Sequence, residues 1–323
     1  RYLESDRSRA DEYYLGAGAA PAELRVVDAT GSVIDERTLT PEAYAGWVDW
    51  VDPVTGGSMG RVRQGGERRQ GSPRFAEMVV NTPKSLSIAA ALRPKVSEAL
   101  DVAQRDAVAE IRSWLAGHSV TRVGPRGQQE VVPAKRLQTV SISHRTSRAG
   151  DPHRHIHLQI GTRVWAAGAW RALDTAALFR QQGAIRALGT AVLAAHPRLA
   201  AVLDTHGLSL DPVTGEVAEL QPFNAVMSKR AAQVARNLAV FEAEWRAAHP
   251  GREPGPVVSA RLQAMAWDHE RPNKKPSRLG SESGWRRELD AAGYTPDLPR
   301  APRRVPVTLG DLRVQQVASR ALD

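Results

Sequence analysis

The segment from residue 137 to residue 162 constrains the fold most, because it has the pattern of two β-strands joined by a short connection. Residues 137–144 alternate apolar and polar side chains with several β-branched members, and residues 154–162 repeat this pattern. Such alternation is typical of half-buried strands. Between them, residues 147–153 (SRAGDPH) are rich in turn formers. The sequence therefore predicts an antiparallel β-hairpin.

Three histidines are expected to converge on this hairpin, namely His144, His155 and His157. His155 and His157 are two residues apart and so share one face of a strand. His144 ends the first strand, which faces the start of the second. Three neutral imidazoles with an open coordination position form a catalytic site for a divalent metal ion, and zinc, manganese, nickel or magnesium are all compatible. The alternative to a metal site is a packed or solvated histidine face. We expect the neighbouring His153 to be a spare or phosphate-contacting residue.

The composition of the chain limits the kinds of catalytic site and partner that it can have. The chain has no cysteine, which excludes thiolate catalysis, disulfides, iron–sulfur ligation and zinc knuckles. Its 323 residues suffice for one large domain or two ordinary ones. The net charge of +9, mostly from arginine, favours a polyanionic partner, although a basic protein from a high-GC genome would have a similar composition.

The sequence also bears on location. It contains no run of 18 apolar residues and no signal-peptide pattern, which predicts an intracellular protein without membrane insertion. It begins with Arg1 rather than methionine, so we expect a trimmed N-terminus.

Candidate nucleophiles lie near the N-terminus. Three of the five tyrosines fall within the first 20 residues, at Tyr2, Tyr13 and Tyr14. They could simply pack a helix onto a core. Beside a metal site, however, a tyrosine hydroxyl is a candidate to attack a phosphodiester.

Basic residues cluster in two loops. The glycine-rich segment 52–72 carries Arg61, Arg63, Arg68 and Arg69, and the segment 269–280 carries Lys274, Lys275 and Arg278. Glycine-rich backbone with spaced arginines suits contacts to a phosphate chain, and a solvated flexible loop is the alternative.

A strand–turn–helix unit lies between these regions. Residues 75–80 form an apolar strand, and Thr82 followed by Pro83 is typical of a helix start. Lys84 and Ser85 would stand in the first helical turn, near backbone N–H groups able to receive a phosphate.

Taken in order, these segments match a known pattern. Residues 75–92 (FAEMVVNTPKSLSIAAAL), residues 144–157 (HRTSRAGDPHRHIH) and the early tyrosines follow one another at compatible spacing. With them, the chain resembles the MobF class of conjugative DNA relaxases, the TrwC/TraI-like enzymes of the His-hydrophobic-His endonuclease superfamily. The segments 227–230 and 284–296 are similar to the helical fingers of that class.

The resemblance implies an α+β fold, with a central antiparallel sheet palm flanked by helices in residues 1–225. It implies a helical fingers subdomain in residues 226–299, and a linker over 300–323 toward a missing C-terminal region. His144, His155 and His157 fall on the metal ligands of the class.

The resemblance also implies roles for acidic and tyrosine residues. Glu77 falls on an acidic position that bonds a ligand histidine or takes a proton from the nucleophile. Tyr2 falls on the tyrosines of initial nicking, and Tyr13, beside Tyr14, on those used at termination.

The implied activity is nicking and rejoining of one DNA strand at a transfer origin through a 5′-phosphotyrosine. Single-stranded or hairpin DNA would be the substrate, with Arg148 among its contacts. Relaxosome and type IV secretion components would be partners of a cytoplasmic bacterial monomer that could accompany the DNA into recipient cells. Two alternatives stay open: a metal-dependent phosphoesterase that uses water, and a non-catalytic DNA-binding module like a replication initiator.

Overall fold

The structure is a computed structural model that describes residues 2–4, 21–63, 65, 71–271 and 281–296. In that part of the chain, seven strands form one antiparallel sheet in the order β1-β4-β8-β7-β2-β3, with β9 also paired to β8. The strands of this sheet are Tyr2–Glu4 (β1), Ala22–Asp28 (β2), Val33–Leu39 (β3), Phe75–Asn81 (β4), Arg136–Thr146 (β7), Pro152–Ala166 (β8) and Ala169–Ala172 (β9). A separate pair comprises Val120–Val123 (β5) and Glu130–Pro133 (β6).

Helices cover the sheet and extend beyond it. Their bounds are Pro41–Val48 (α1), Lys84–Leu92 (α2), Pro94–His118 (α3), Thr175–Arg180 (α4), Gln182–Ala194 (α5), Pro197–Thr205 (α6), Lys229–Ala248 (α7), Pro256–Asp268 (α8) and Ser281–Ala291 (α9). None of the described helices combines the length and apolar character needed to cross a membrane. The predicted α+β class is confirmed.

Alternation along β8 assigns its two faces to different surroundings. Ile156, Leu158 and Ile160 join the larger hydrophobic cluster, which α2, α3, α5 and α6 complete. The long helix α3 contributes an apolar stripe to that cluster with a helical repeat. The stripe consists of Val96, Leu100, Ala103, Ala107, Ile111 and Leu115, all of them buried.

The opposite face of the sheet packs against α1. This helix begins after Thr40, whose hydroxyl accepts the Ala43 N–H at 3.2 Å, and proline occupies its first position. Trp47 of α1 stacks on Phe75 of β4, with ring centroids 6.0 Å apart. Further along this face, polar side chains replace the apolar ones, and the histidines lie there.

The predicted hairpin is confirmed, and its strands are longer than predicted. The start of the helix after β4 differs from the prediction: α2 begins at Lys84, and Thr82 does not cap it. The Thr82 hydroxyl instead donates to the Arg154 carbonyl at 2.9 Å and contacts the Ser87 hydroxyl at 2.9 Å. This happens because β8 runs beside β4 and offers a backbone acceptor at that point.

The C-terminal region is helical, as predicted. Helices α7 and α8 pack against each other, whereas α9 returns to the main body. Leu289 and Tyr294 are buried in the larger cluster, and the Tyr294 hydroxyl accepts from the Arg93 guanidinium at 3.1 Å. The boundary near residue 226 stays a prediction, and the predicted linker over 300–323 lies outside the described residues.

Candidate metal centre

The strand register brings the three histidines together. His144 on β7 is directly opposite His155 on β8, and His157 follows two residues later on the same strand. The ring centroids form a nearly equilateral triangle, with sides of 5.1 Å for 144 to 155, 4.8 Å for 144 to 157 and 5.1 Å for 155 to 157. One nitrogen of each ring lies within 4.8 Å of the other two. The predicted convergence is confirmed.

Burial keeps His155 in the protonation state that a metal requires. His144, His155 and His157 are 9%, 8% and 4% exposed. Burial, followed by the neighbouring histidines, holds the pKa of His155 well below its ordinary value. The imidazole is therefore neutral near pH 7 and keeps a lone pair for coordination.

Two of the rings have polar partners outside the triad. His155 Nδ1 lies 3.0 Å from the His153 carbonyl oxygen, which can only accept, so the proton is on Nδ1 and Nε2 keeps its lone pair. His157 Nδ1 lies 3.1 Å from Glu77 Oε1, a close contact between a ring nitrogen and a carboxylate. Such outer partners fix the tautomer and aim of ligand histidines. The donor set thus fits a divalent ion of the zinc, nickel or manganese type.

Glu77 lies on β4 with its side chain only 8% exposed. Its carboxylate lies 3.1 Å from Nδ1 of His157, and its predicted role beside a ligand histidine stays a prediction. In the register, Glu77 is opposite Gln159 of β8 on one side and opposite Tyr2 of β1 on the other. Of Tyr2 only the backbone is described, and Tyr13 and Tyr14 lie outside the described residues.

We expect Glu77→Ala to weaken binding of Co²⁺ by about 10- to 100-fold, the usual cost of losing an outer partner of a ligand histidine. Glu77→Gln should fall between the variant and the wild type, since the amide oxygen can still accept. Titration followed by visible absorption measures this. Glu36→Ala, on the exposed strand β3, is the matched control, and equal affinities for both alanine variants would contradict the role of Glu77.

His153 is close to the triad but outside it. Its ring stacks on that of His155 at 4.6 Å with an interplanar angle of 30°. Burial, then the charge of Lys84, lowers the pKa of His153 to about 4. The cluster of potential ligands does not include it, and its role as a spare or phosphate-contacting residue stays a prediction.

Sequence reasoning missed a buried hydrogen bond between two side chains on this face of the sheet. The Tyr44 hydroxyl donates to Gln159 Oε1 at 3.0 Å, and both side chains are fully buried. Gln159 is the register partner of Glu77. The hydrogen bond from Tyr44 therefore connects α1 to the strand position beside the Glu77 carboxylate. Nothing in the local sequence indicates this contact, because 115 residues separate its partners.

The candidate DNA-contact residues have different surroundings. Arg61 and Arg63 are exposed on the loop after α1, and Arg148 is half-buried in the turn between β7 and β8. The remaining four basic candidates, Arg68, Arg69, Lys274 and Lys275, lie outside the described residues.

The prediction for Ser85 is wrong. Its side chain is fully buried, its N–H donates to Glu216 Oε2 at 3.3 Å, and its hydroxyl contacts the same carboxylate. A protein anion therefore already occupies the start of α2. Lys84 donates from Nζ to the Pro152 carbonyl at 2.9 Å, and burial lowers its pKa to about 8, so its ammonium steadies the hairpin.

Comparisons with known proteins agree with this geometry. The family model described as TrwC relaxase matches residues 1–292. Among curated proteins, no significant relative was found.

Solved structures share the fold. The metal-bound conjugative relaxase TrwC in complex with oriT DNA has a TM-score of 0.67 at 19% identity, over 91% of this chain and 98% of that one. TrwC with a 27-mer DNA comprising the recognition hairpin and the cleavage site has a TM-score of 0.66 at 18% identity, over 91% and 98%. The metal-free TrwC complex with oriT DNA has a TM-score of 0.63 at 20% identity, over 90% and 96%. Since the family match covers nearly the whole chain, this chain belongs to the TrwC relaxase family of metal-dependent enzymes that nick and rejoin DNA.

Proposed function

We propose that this chain cleaves and rejoins one DNA strand at a transfer origin, and that Tyr2 is the first nucleophile. One observation carries the proposal. The histidine triad and Glu77 share one face of the sheet, and the neighbouring strand β1 places the backbone of Tyr2 opposite Glu77. The TrwC structures bound to DNA with a recognition hairpin and cleavage site support a substrate of the same class.

A divalent ion on the three imidazoles would offer its charge to a non-bridging oxygen of the scissile phosphate. The attack on phosphorus and the proton transfer are assigned to residues of the chain. The Tyr2 oxygen attacks phosphorus in line, the bond to the 3′ oxygen breaks, and that oxygen leaves as a hydroxyl. Because an unperturbed tyrosine has a pKa of about 10, it needs help in losing its proton. Glu77, opposite Tyr2 in the register, is the proposed source of that help.

The link to Tyr2 makes the reaction reversible. One phosphodiester is exchanged for another, so a 3′ hydroxyl can attack the phosphotyrosine and restore the strand. We assign this second transfer to Tyr13, with Tyr14 beside it. A water molecule in the place of the tyrosine would instead release a free 5′ phosphate.

Basic side chains are proposed to hold the DNA backbone. These are Arg61, Arg63, Arg68, Arg69, Arg148, Lys274 and Lys275, while Ser85 is withdrawn from this set and Lys84 acts through the hairpin. Bases of a single strand would be presented to the metal centre next to the origin hairpin.

Salt is expected to weaken DNA binding steeply. Each arginine that neutralises a phosphate adds about 0.7 to the slope of log affinity against log salt for single strands. Arg61→Ala combined with Arg63→Ala should therefore make the slope shallower by about 1.4. Fluorescence anisotropy with a labelled oligonucleotide measures it. Arg126→Ala, in the exposed turn between β5 and β6, is the control, and an affinity independent of salt would contradict the assignment.

The setting of the reaction is a further part of the proposal. We infer that the chain acts in the bacterial cytoplasm as a monomer, that relaxosome proteins present the origin to it, and that a type IV secretion system accepts the covalent complex. Sedimentation of the purified chain alone and with origin DNA tests the monomer.

The whole proposal is tested by a nicking assay on a supercoiled plasmid. The plasmid carries the transfer origin of the mobile element on which this gene lies. We expect open circles in the presence of a divalent ion, protein attached to the nicked strand, and no nicking after chelation. Nicked circles without attached protein would favour attack by water. Binding that survives chelation, without any nicking, would favour a non-catalytic DNA-binding module.

A further inference from the structure

The turn between the two histidine strands is bonded to the C-terminal helices. Asp151 in this turn is 1% exposed, and its Oδ2 accepts the Lys229 backbone N–H at 2.9 Å. The neighbouring Gly150 carbonyl accepts from Trp285 Nε1 at 2.9 Å. Lys229 begins α7 and Trp285 lies in α9. Both helices are therefore attached to one short turn.

Asp151 replaces a cap that α7 lacks. The first N–H groups of a helix have no acceptor within the helix. Ser228, at the N-cap position of α7, makes no side-chain hydrogen bond to them. The carboxylate of Asp151 supplies an acceptor from a distant part of the chain, at the end of the helix where negative charge is favoured.

Lys229 extends this connection to α9. Its ammonium lies 3.6 Å from Asp151 Oδ1 and 2.6 Å from Glu288 Oε2. The buried carboxylate of Asp151 thus has a positive partner, as a charge in such a place requires. One turn, one side chain of α7 and one side chain of α9 form a continuous polar chain.

The same turn sets the alignment of the metal ligands. Asp151 accepts the Ser147 N–H through its carbonyl at 2.9 Å and donates its own N–H to the Ser147 hydroxyl at 3.2 Å. Thr146 and Pro152 form the last pair of the ladder, and the His144–His155 pair follows after a register shift. The turn therefore lies at the end of the ladder that leads to these two rings.

We propose that Asp151 is a positioning residue that fastens α7 and α9 to the histidine hairpin and thereby holds His144 and His155 in register for metal binding. The state of the C-terminal helices and the affinity of the metal centre are then coupled. This inference rests on the proposed function in one respect, that the three histidines bind a divalent ion.

The test compares Asp151 with a second carboxylate of the same chemistry. Asp174 accepts the Ala177 N–H at 3.0 Å at the start of α4 and pairs with Arg122 at 3.1 Å, away from the hairpin. Co²⁺ alone is the probe, titrated into the full chain. We expect Asp151→Ala to weaken Co²⁺ binding by about tenfold or more, and Asp174→Ala to leave it unchanged. Asp151→Asn should lose less, since its amide oxygen can accept the Lys229 N–H.

Hydrogen exchange of the metal-free protein gives a second readout that requires neither metal nor DNA. The amides of Lys229 and of residues 147–150 should exchange faster in both Asp151 variants than in Asp174→Ala. If Asp151→Ala fails to fold, Asp151→Asn carries the test. The proposal would be overturned if that variant showed wild-type hydrogen exchange and wild-type Co²⁺ affinity. It would also be overturned if the alanine variants of Asp151 and Asp174 lost Co²⁺ affinity equally. A wild-type chain that binds no Co²⁺ would refute the metal assignment, while the exchange rates would still decide the role of Asp151.

Discussion

Replacing His155 by alanine is expected to lower affinity for Co²⁺ by more than about 100-fold, beyond the usual cost of losing an outer partner, and to abolish strand cleavage. His155 is one corner of the triad, and its ring centroid lies 5.1 Å from each of the other two. Its removal leaves two imidazoles, which cannot enclose an ion as three can. Equilibrium titration followed by visible absorption measures the affinity.

Two further variants make this result specific. His155→Gln keeps most of the side-chain volume and separates loss of the ligand from loss of packing. His118→Ala removes an exposed histidine at the end of α3 and should bind Co²⁺ as the wild type does. Retention of full affinity by His155→Gln and His155→Ala together would show that the ion binds elsewhere.

Tyr2→Phe is expected to reduce nicking of an origin-bearing plasmid by at least about a thousandfold, the scale on which loss of a nucleophile acts. Only the hydroxyl is removed, so Co²⁺ affinity and DNA binding should stay at wild-type values. We expect this loss of nicking because the register places the backbone of Tyr2 opposite Glu77. Strand β4 alone separates β1 from β8, the strand that carries His157.

Tyr13→Phe and Tyr14→Phe serve as matched controls for this assignment. We expect both to nick as the wild type does, and Tyr13→Phe to lose the second strand transfer. If Tyr2→Phe nicks normally and Tyr13→Phe does not, the order of the two nucleophiles is the reverse of the one proposed.

The sequence predicted those parts of the fold whose pattern is local. Period-two alternation marks β7 and β8, and a short apolar run marks β4. The convergence of the three histidines could be predicted for the same reason: strand parity and a short turn determine which side chains meet.

Contacts between distant segments could not be predicted in this way. Strand β3 was not predicted because it is polar and largely exposed, without the alternation that a buried face imposes. Glu216 reaches Ser85 across 131 residues, so an apparently open helix start is occupied. Asp151 caps α7 across 78 residues, and its neighbours in the sequence indicate only a turn.

The most direct test of the central claim is the intact mass of the protein after incubation with Co²⁺ or Mn²⁺ and a single-stranded oligonucleotide that spans the origin. The proposed mechanism predicts that the protein gains the mass of the fragment on the 3′ side of the nick, and that the other fragment ends in a 3′ hydroxyl. Chelation or His155→Gln should prevent both changes. Cleaved DNA with a free 5′ phosphate and protein of unchanged mass would contradict it.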